Sequence, residues 1–83
     1  MIELCLYGRR GCHLCDDLRQ ALLEFQPGDG ISHGFRLREI DIDTDPELRA
    51  RYGLLIPVLC LGEQEICHFQ LNPAALKQAL EAG

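Results

Sequence analysis

A short apolar segment followed directly by an amphipathic helical pattern opens the chain, and this order constrains the fold more than any other feature. Ile2–Tyr7 is mostly apolar and ends at Gly8, which predicts a buried strand. From Leu14 the apolar residues recur at positions 14, 18, 21, 22 and 25, the spacing of one helical face. Phe35–Ile42 alternates apolar with polar residues over most of its length and predicts a second strand. Strand, helix and strand in this order predict a right-handed parallel crossover.

The rest of the chain predicts two more strands and two more helices. In the second strand the apolar parity changes between Leu37 and Ile40, so we expect a bulge there or burial on both faces. The other predicted features are a loop at Pro27–Gly30 extended by Gly34, a capping box from Thr44 to Glu47, a short helix bearing Leu48 and Tyr52 and ending at Gly53, a strand Val58–Leu61 opened by Pro57, a turn at Gly62–Gln64, a strand Glu65–Phe69, and a helix capped by Asn72 and Pro73 with Leu76, Ala79 and Leu80 on its apolar face. The order β-α-β-α-β-β-α predicts an α/β fold, a four-stranded mixed sheet covered by three helices.

Length and charge exclude several classes of function. The 83 residues predict one domain, residues 1–83. The net charge of -5 argues against nucleic acid, because neutralising phosphates needs clustered lysine and arginine. We expect no membrane association, since no apolar run is long enough to span a bilayer, and a cytoplasmic location, since no signal peptide is seen. The five cysteines are an odd number, which does not favour a secreted disulfide scaffold.

The segment Cys12-His13-Leu14-Cys15 places two cysteines at the start of the first helix. Three residues apart in a helical turn, their Cα atoms are expected about 5–6 Å apart, within disulfide reach. The helix N-terminus favours an anion there, so we expect a lowered pKa for the Cys12 thiol. Nearby charges act in both directions: Arg9 and Arg10 favour the thiolate, whereas Asp16 and Asp17 oppose it. Cys15 is predicted to be more buried, so Cys12 would attack a substrate disulfide and Cys15 would resolve the mixed disulfide.

Other assignments of these cysteines remain open. The CxxC segment could form half of a zinc site, with Cys60 and Cys67 opposite each other across the last hairpin, although their spacing is not that of a zinc knuckle. It could also share an iron–sulfur cluster in a dimer, or belong to an interaction domain whose cysteines do not cycle. We interpret Cys5 and Cys60 as core residues and leave Cys67 unassigned. His13 could stabilise the thiolate or be solvated.

Several segments together resemble a family: Leu6–Arg9, Gly11–Cys15, Ile40–Asp43, Leu48, Tyr52 and Ile56–Leu59. With the CxxC after the first strand and Ile56-Pro57 before the third, the chain resembles a glutaredoxin-like protein of the thioredoxin superfamily, over nearly its whole length. It is most similar to a bacterial glutaredoxin-like branch of poorly defined role. The resemblance implies a thioredoxin-like fold and a cis Pro57 beside the disulfide. It also implies that the backbone of Ile56 pairs with the substrate, and that Arg9 replaces a lysine that meets the glutathione carboxylate.

The chain departs from this family at two places. His13-Leu14 stands where glutaredoxins have Pro-Tyr, and Cys67-His68 stands where they have the Gly-Gly pair that grips the glutamyl end of glutathione. We therefore expect no bound cofactor and only weak use of glutathione as a reductant. The expected partners are a protein disulfide or a small thiol as substrate, and a reductase or glutathione as electron donor. We expect the domain to be a monomer that reduces protein or mixed disulfides.

Overall fold

The computed structural model describes residues 2–25 and 35–82 and has the predicted order of elements. The elements are strand β1 (Ile2–Gly8), helix α1 (His13–Glu24), strand β2 (Phe35–Asp41), a 3-10 turn (Ile42–Thr44), helix α2 (Pro46–Tyr52), strands β3 (Val58–Leu61) and β4 (Gln64–His68), and helix α3 (Pro73–Ala82). The predicted loop at Pro27–Gly30 and Gly34 lies outside the described residues. Within the described ranges, no helix is long and apolar enough to cross a membrane.

The strands form one mixed sheet in the order β2-β1-β3-β4. β1 and β2 are parallel over seven residue pairs, from Ile2 opposite Phe35 to Gly8 opposite Asp41. β3 is antiparallel to both β1 and β4. This confirms the predicted α/β fold of thioredoxin-like type, a four-stranded mixed sheet with three helices.

The two faces of the sheet are covered by different helices. Leu4 and Leu6 of β1 pack with α1, α3 and the inward residues of β3 and β4; this core cluster contains Leu4, Leu6, Leu18, Leu22, Leu59, Cys67, Leu76 and Leu80. Alternate residues of a strand point to opposite faces, so Cys5 and Tyr7 face the other way. There Tyr7 stacks on Tyr52 of α2, with ring centroids 4.6 Å apart. α1 and α3 therefore cover one face and α2 covers the other.

The prediction that the second strand has a bulge or is buried on both faces is wrong. The register between β1 and β2 is unbroken, and no residue of β2 is fully buried. In the described sheet β2 lies at an edge beside β1 alone, so solvent reaches its outer side. The strand also ends one residue earlier than predicted, because Ile42 is fully buried at the start of the 3-10 turn.

The predicted capping box from Thr44 to Glu47 is wrong, because a different residue caps α2. Asp45, not Thr44, is the N-cap, and its carboxylate accepts a hydrogen bond of 2.9 Å from the N–H of Glu47. The Thr44 hydroxyl instead donates to the carbonyl of Asp41, at 2.7 Å, because Thr44 completes the preceding 3-10 turn. The predicted cap of α3 is confirmed: the side chain of Asn72 accepts a hydrogen bond of 3.1 Å from the N–H of Ala75.

Candidate redox site

Four strand ends meet at one edge of the sheet. β1 and β2 are parallel and end there at Gly8 and Asp41, whereas antiparallel β3 begins there at Val58 and β4 ends there at His68. The turn after β1 leads directly into α1, so the CxxC segment lies at this same edge. Residues far apart in the sequence are thereby brought to the two cysteines.

Cys12 and Cys15 form a disulfide, with their Cα atoms 5.2 Å apart. Cys12 is the N-cap of α1, and its Sγ accepts a hydrogen bond of 3.1 Å from the N–H of Cys15. The two cysteines differ in solvent exposure: Cys12 is half-buried, whereas Cys15 is 2% exposed and lies on the core side of α1. A reagent can therefore approach the pair from Cys12, at the end of the helix whose free N–H groups stabilise an anion.

Gly8 allows Cys15 to pack directly on the end of β1. A Cβ atom at this position would lie 2.8 Å from Cys15 Sγ and 3.3 Å from Cys15 Cβ, closer than side chains tolerate. The sheet register places Tyr7 opposite Val58, so the next residues, Gly8 and Pro57, are neighbours across β1 and β3. Pro57 is buried, and the Ile56–Pro57 bond is cis, as the family resemblance implies.

Asp16, in the first turn of α1, is paired with an arginine. Asp16 Oδ1 accepts a hydrogen bond of 2.7 Å from Arg19, whose guanidinium also contacts the carboxylate of Glu39 on β2. These carboxylates raise the pKa of Arg19, so it stays charged. Asp16 therefore opposes an anion at Cys12 less than the sequence suggested, whereas Asp17 is exposed.

The sequence of this chain matches one family over almost all of its length. The profile of the glutaredoxin-like domain family (DUF836) matches residues 3–81. The chain belongs to the glutaredoxin-like domain family. The solved structures that are similar to it include the following two. Protein Ne2328 from Nitrosomonas europaea is 32% identical, with a TM-score of 0.78 over 94% of this chain and 89% of that one. The X-ray structure of XcR50 from X. campestris is 32% identical, with a TM-score of 0.67 over 96% of this chain and 97% of that one. The comparison with curated proteins gives no match.

Arg9 of this glutaredoxin-like domain has an ion-pair partner within the chain. Its terminal nitrogen donates to Asp43 Oδ1 at 3.0 Å, in a pair that is partly exposed. Arg10 and His13 are exposed. Arg9 thus precedes Cys12 by three residues and His13 lies between the two cysteines, and any carboxylate that approached Arg9 would compete with Asp43.

The backbone around Pro57 is already partly paired. The N–H of Ile56 donates to the carbonyl of Tyr52 at 3.1 Å, so this N–H is not free to pair with another chain. On the other side, the Pro57 carbonyl accepts a hydrogen bond of 2.9 Å from the N–H of Phe69. Phe69 therefore adjoins Pro57 just beyond β4.

Phe69 has a backbone conformation that is rare for its residue type. Its φ is +66°, and the N–H of Gln70 donates to the carbonyl of His68 at 2.8 Å, closing a tight turn around it. For a bulky residue this left-handed conformation costs on the order of 1–3 kcal/mol, and such strain clusters at functional sites. The sequence pattern does not predict this conformation at Phe69, because glycine is the residue that normally adopts it.

The zinc site considered from the sequence has no geometry to support it. In the hairpin, Cys60 lies opposite Glu65 and Cys67 lies opposite Leu59, so the two cysteines are not partners. The turn is formed by Gly62 and Glu63 alone, so β4 begins one residue earlier than expected, and it contains one extra residue between the paired positions. Cys67 joins the core cluster under α1 and α3, whereas Cys60 contacts Tyr52 of α2. In the described part of the chain, no three His, Cys, Asp or Glu residues are grouped to hold a metal ion.

An open cleft of about 440 Å³ lies between the start of α1 and the end of β2. Gly8, Arg9, Cys15, Arg19 and Asp41 are among its lining residues. It borders the buried Cys15 rather than the more accessible Cys12, so it does not lead to the more exposed sulfur of the pair.

Proposed function

We propose that this glutaredoxin-like domain is a thiol–disulfide oxidoreductase in which Cys12 is the nucleophile and Cys15 the resolving thiol. The observation that carries the proposal is the asymmetry of the pair: Cys12 is half-buried at the N-cap of α1, and Cys15 is 2% exposed beneath it. The N–H of Cys15 already donates to Cys12 Sγ, and this hydrogen bond stabilises a thiolate more strongly than a neutral sulfur.

The proposed reaction is a pair of thiol–disulfide exchanges. The Cys12 thiolate attacks one sulfur of the substrate disulfide, which forms a mixed disulfide and releases the other substrate sulfur as a thiolate. Cys15 loses its proton to solvent and attacks Cys12 Sγ, which releases the second substrate thiolate and forms the Cys12–Cys15 disulfide. Two electrons have then passed to the substrate, and a thiol or dithiol donor restores the reduced pair by the reverse exchanges.

The apolar surface at this edge of the sheet favours a protein as substrate. In the described residues the exposed large apolar side chains are Leu14, Leu23, Leu54 and Phe69. Leu14 lies between the cysteines, Leu54 in the connection before Pro57, and Phe69 beyond β4. Three of the four therefore lie at the edge of the sheet that carries the CxxC segment. Leu54 is 92% exposed, and apolar side chains grouped on a surface are typical of protein interaction sites. In this proposal the Ile56 carbonyl and Pro57 align the substrate backbone, and Arg9 and His13 contact its polar groups.

Glutathione is a poorer fit to the same edge. Its glycyl carboxylate would have to displace Asp43 from Arg9, and its glutamyl end would meet Cys67 and the exposed side chain of His68 in place of the two glycines. Losing one hydrogen bond to a charged group costs about 1.5–3 kcal/mol, roughly one to two decades of affinity. We therefore propose a reductase of thioredoxin-reductase type, or a dedicated dithiol protein, as the electron donor.

A trapping experiment tests the roles of the two cysteines. We expect Cys15→Ser to accumulate a mixed disulfide with a disulfide-containing protein, because attack by Cys12 remains possible and resolution does not. The matched control, Cys12→Ser, should trap nothing. Trapping by Cys12→Ser alone would reverse the assigned roles, and equal trapping by both variants would contradict them. An equilibrium titration with dithiol buffers should give a reversible two-electron midpoint for the natural sequence, and its absence would favour an interaction domain that does not cycle.

The electron donor is tested by comparing turnover with glutathione plus its reductase against turnover with thioredoxin reductase. We expect the second system to be faster, and His68→Gly to increase the glutathione-driven rate by opening the glutamyl side. Glycine at position 67 is a poor choice, because Cys67 fills the core. Rapid glutathione-driven turnover by the natural sequence would contradict the proposed donor while leaving the exchange mechanism intact.

A further inference from the structure

A second pair of cysteines lies on the face of the sheet that α2 covers. Cys5 of β1 and Cys60 of β3 are direct partners in the antiparallel register, and neither is in a disulfide. Directly opposite residues of antiparallel strands have Cα atoms about 4.5 or 5.5 Å apart, depending on the type of pair. Both values fall within the range of about 4.4–6.8 Å that disulfides span. The two side chains also point to the same face, so the backbone already satisfies the main condition for a bond.

The third free cysteine does not compete for this pairing. Cys67 lies in the core cluster with Leu59, on the face covered by α1 and α3. Cys60 follows Leu59 in the strand and points the opposite way, towards Tyr52. The sheet itself therefore separates Cys67 from the other two thiols.

The surroundings give the two thiols different accessibility. Cys5 is half-buried, so a small reagent can reach it from solvent, whereas Cys60 is 2% exposed. Burial raises the pKa of the Cys60 thiol, and a hydrogen bond from the Tyr52 hydroxyl counteracts this by stabilising its thiolate. Burial also raises the pKa of Tyr7, and the neighbouring Cys5 and Cys60 thiolates raise it further. Cys5 is therefore the thiol that a reagent in solvent can reach, and the buried thiol of Cys60 lies beside it.

We propose that Cys5 and Cys60 form a second, reversible disulfide, closed by low-molecular-weight disulfides. The Cys5 thiolate attacks the small disulfide, which gives a mixed disulfide on Cys5 and releases one small thiolate. Cys60 then loses its proton to the medium and attacks Cys5 Sγ, which releases the second small thiolate and leaves a Cys5–Cys60 bond. The oxidant gains the two electrons that the protein loses. This inference is independent of the Cys12–Cys15 exchange and goes beyond the proposed function.

The chain supplies its own spectroscopic probe of this bond. It has two tyrosines and no tryptophan, and both tyrosines, Tyr7 and Tyr52, stack beside the Cys5–Cys60 pair. A disulfide next to a phenol quenches its emission, so closure should lower the tyrosine fluorescence of the folded protein. Reduction with dithiothreitol should restore it.

The experiment uses the full chain carrying Cys12→Ser and Cys15→Ser, treated with excess oxidised glutathione. Of the five cysteines, three thiols then remain. We expect two of them to be lost without a retained glutathione adduct, a peptide map that links Cys5 to Cys60, and a fall in tyrosine emission. Adding Cys67→Ser, the matched control, should leave all three readouts unchanged apart from the thiol it removes.

Two further variants keep the test decisive if one of them folds poorly. Adding Cys60→Ser should leave a stable glutathione adduct on Cys5, and adding Cys5→Ser should leave Cys60 unmodified, each without fluorescence quenching. The proposal is overturned if the three-thiol protein keeps all its thiols free or retains a glutathione adduct on Cys5. A peptide map that links Cys67 to either partner would overturn it as well.

Discussion

Replacing Gly8 by alanine tests whether the end of β1 is shaped around the sulfur of Cys15. Gly8 does not have a positive φ, so alanine is conformationally acceptable there and the added methyl acts through contacts alone. Its Cβ would lie 2.8 Å from Cys15 Sγ, in a part of the domain where Cys15 is 2% exposed and cannot move into solvent. The start of α1 or the end of β1 must therefore shift.

The expected cost follows from overpacking. One extra methyl group in a tightly packed site destabilises a protein by about 1–3 kcal/mol. In a domain of this size, 1 kcal/mol corresponds to a fall in Tm of roughly 4–8 °C. We therefore expect Gly8→Ala to lower the free energy of unfolding by about 1–3 kcal/mol and Tm by at least about 4 °C.

A double-mutant cycle identifies the atom responsible. All four proteins, the natural sequence, Gly8→Ala, Cys15→Ala and the double variant, are unfolded in urea under reducing conditions, so that the disulfide does not enter the comparison. Cys15→Ala removes the sulfur and leaves only its Cβ, 3.3 Å from the new methyl. Gly8→Ala should then cost less, with a coupling energy of about 0.5–3 kcal/mol between the two positions.

Gly62→Ala is the matched control for this cycle. Gly62 has a φ of +62°, and an added Cβ meets no atom within 4 Å, so alanine there costs backbone strain that does not depend on Cys15. Its coupling to Cys15→Ala should be close to zero. Equal costs of Gly8→Ala in the presence and absence of the Cys15 sulfur would refute the reasoning.

Three other properties of the domain can be predicted from the structure. In the reduced protein, iodoacetamide should modify Cys12 near neutral pH well before Cys15, as peptide mass spectrometry would show; faster modification of Cys15 would reverse their roles. Asn72→Ala should lower the free energy of urea unfolding by about 1 kcal/mol, because the N-cap hydrogen bond of 3.1 Å is lost; no change would show that the cap is energetically silent. Burial raises the pKa values of Cys60 and Cys67, so the unfolded chain loses their protons first and stability should fall as pH rises above about 8.5, the ordinary thiol value. Urea midpoints at pH 7 and pH 10 would test this, and a flat profile would contradict it.

The parts of the fold that the sequence predicted correctly are those encoded by local patterns. The strand ending at Gly8, the helical spacing from Leu14 and the cap at Asn72 each depend on a few neighbouring residues. The same holds for the CxxC pair, because the position of Cys12 at the start of a helix fixes both its distance from Cys15 and its exposure.

The errors arose where two local solutions compete and a distant contact selects one. Thr44 and Asp45 are both good caps, and the choice depends on the 3-10 turn, which buries Ile42 and uses the Thr44 hydroxyl for itself. Similarly, Cys60 pairs with Glu65 because β4 contains one extra residue, and no sequence pattern in the hairpin predicts this bulge.

The candidate site could be predicted only for residues whose type is reactive and whose position in a local pattern fixes their surroundings. Cys12 and Cys15 meet that condition. Gly8 was visible as the end of a strand, but its closeness to Cys15 Sγ requires the packed helix. The left-handed Phe69 and the ion pair of Arg9 with Asp43 have no local signature, since each is produced by contacts between separate elements.

The strand β1 explains why the two cysteine pairs would react with different partners. Cys12 follows the end of the strand, where the sheet edge is lined by exposed apolar side chains and a folded protein can approach. Cys5 lies in the middle of the strand, hydrogen-bonded between β2 and β3, where only a small molecule can reach the sulfur. A protein disulfide should therefore oxidise the first pair and leave the second reduced, whereas a small disulfide should oxidise both. Since the two pairs point to opposite faces, direct exchange between them in the folded protein is not expected.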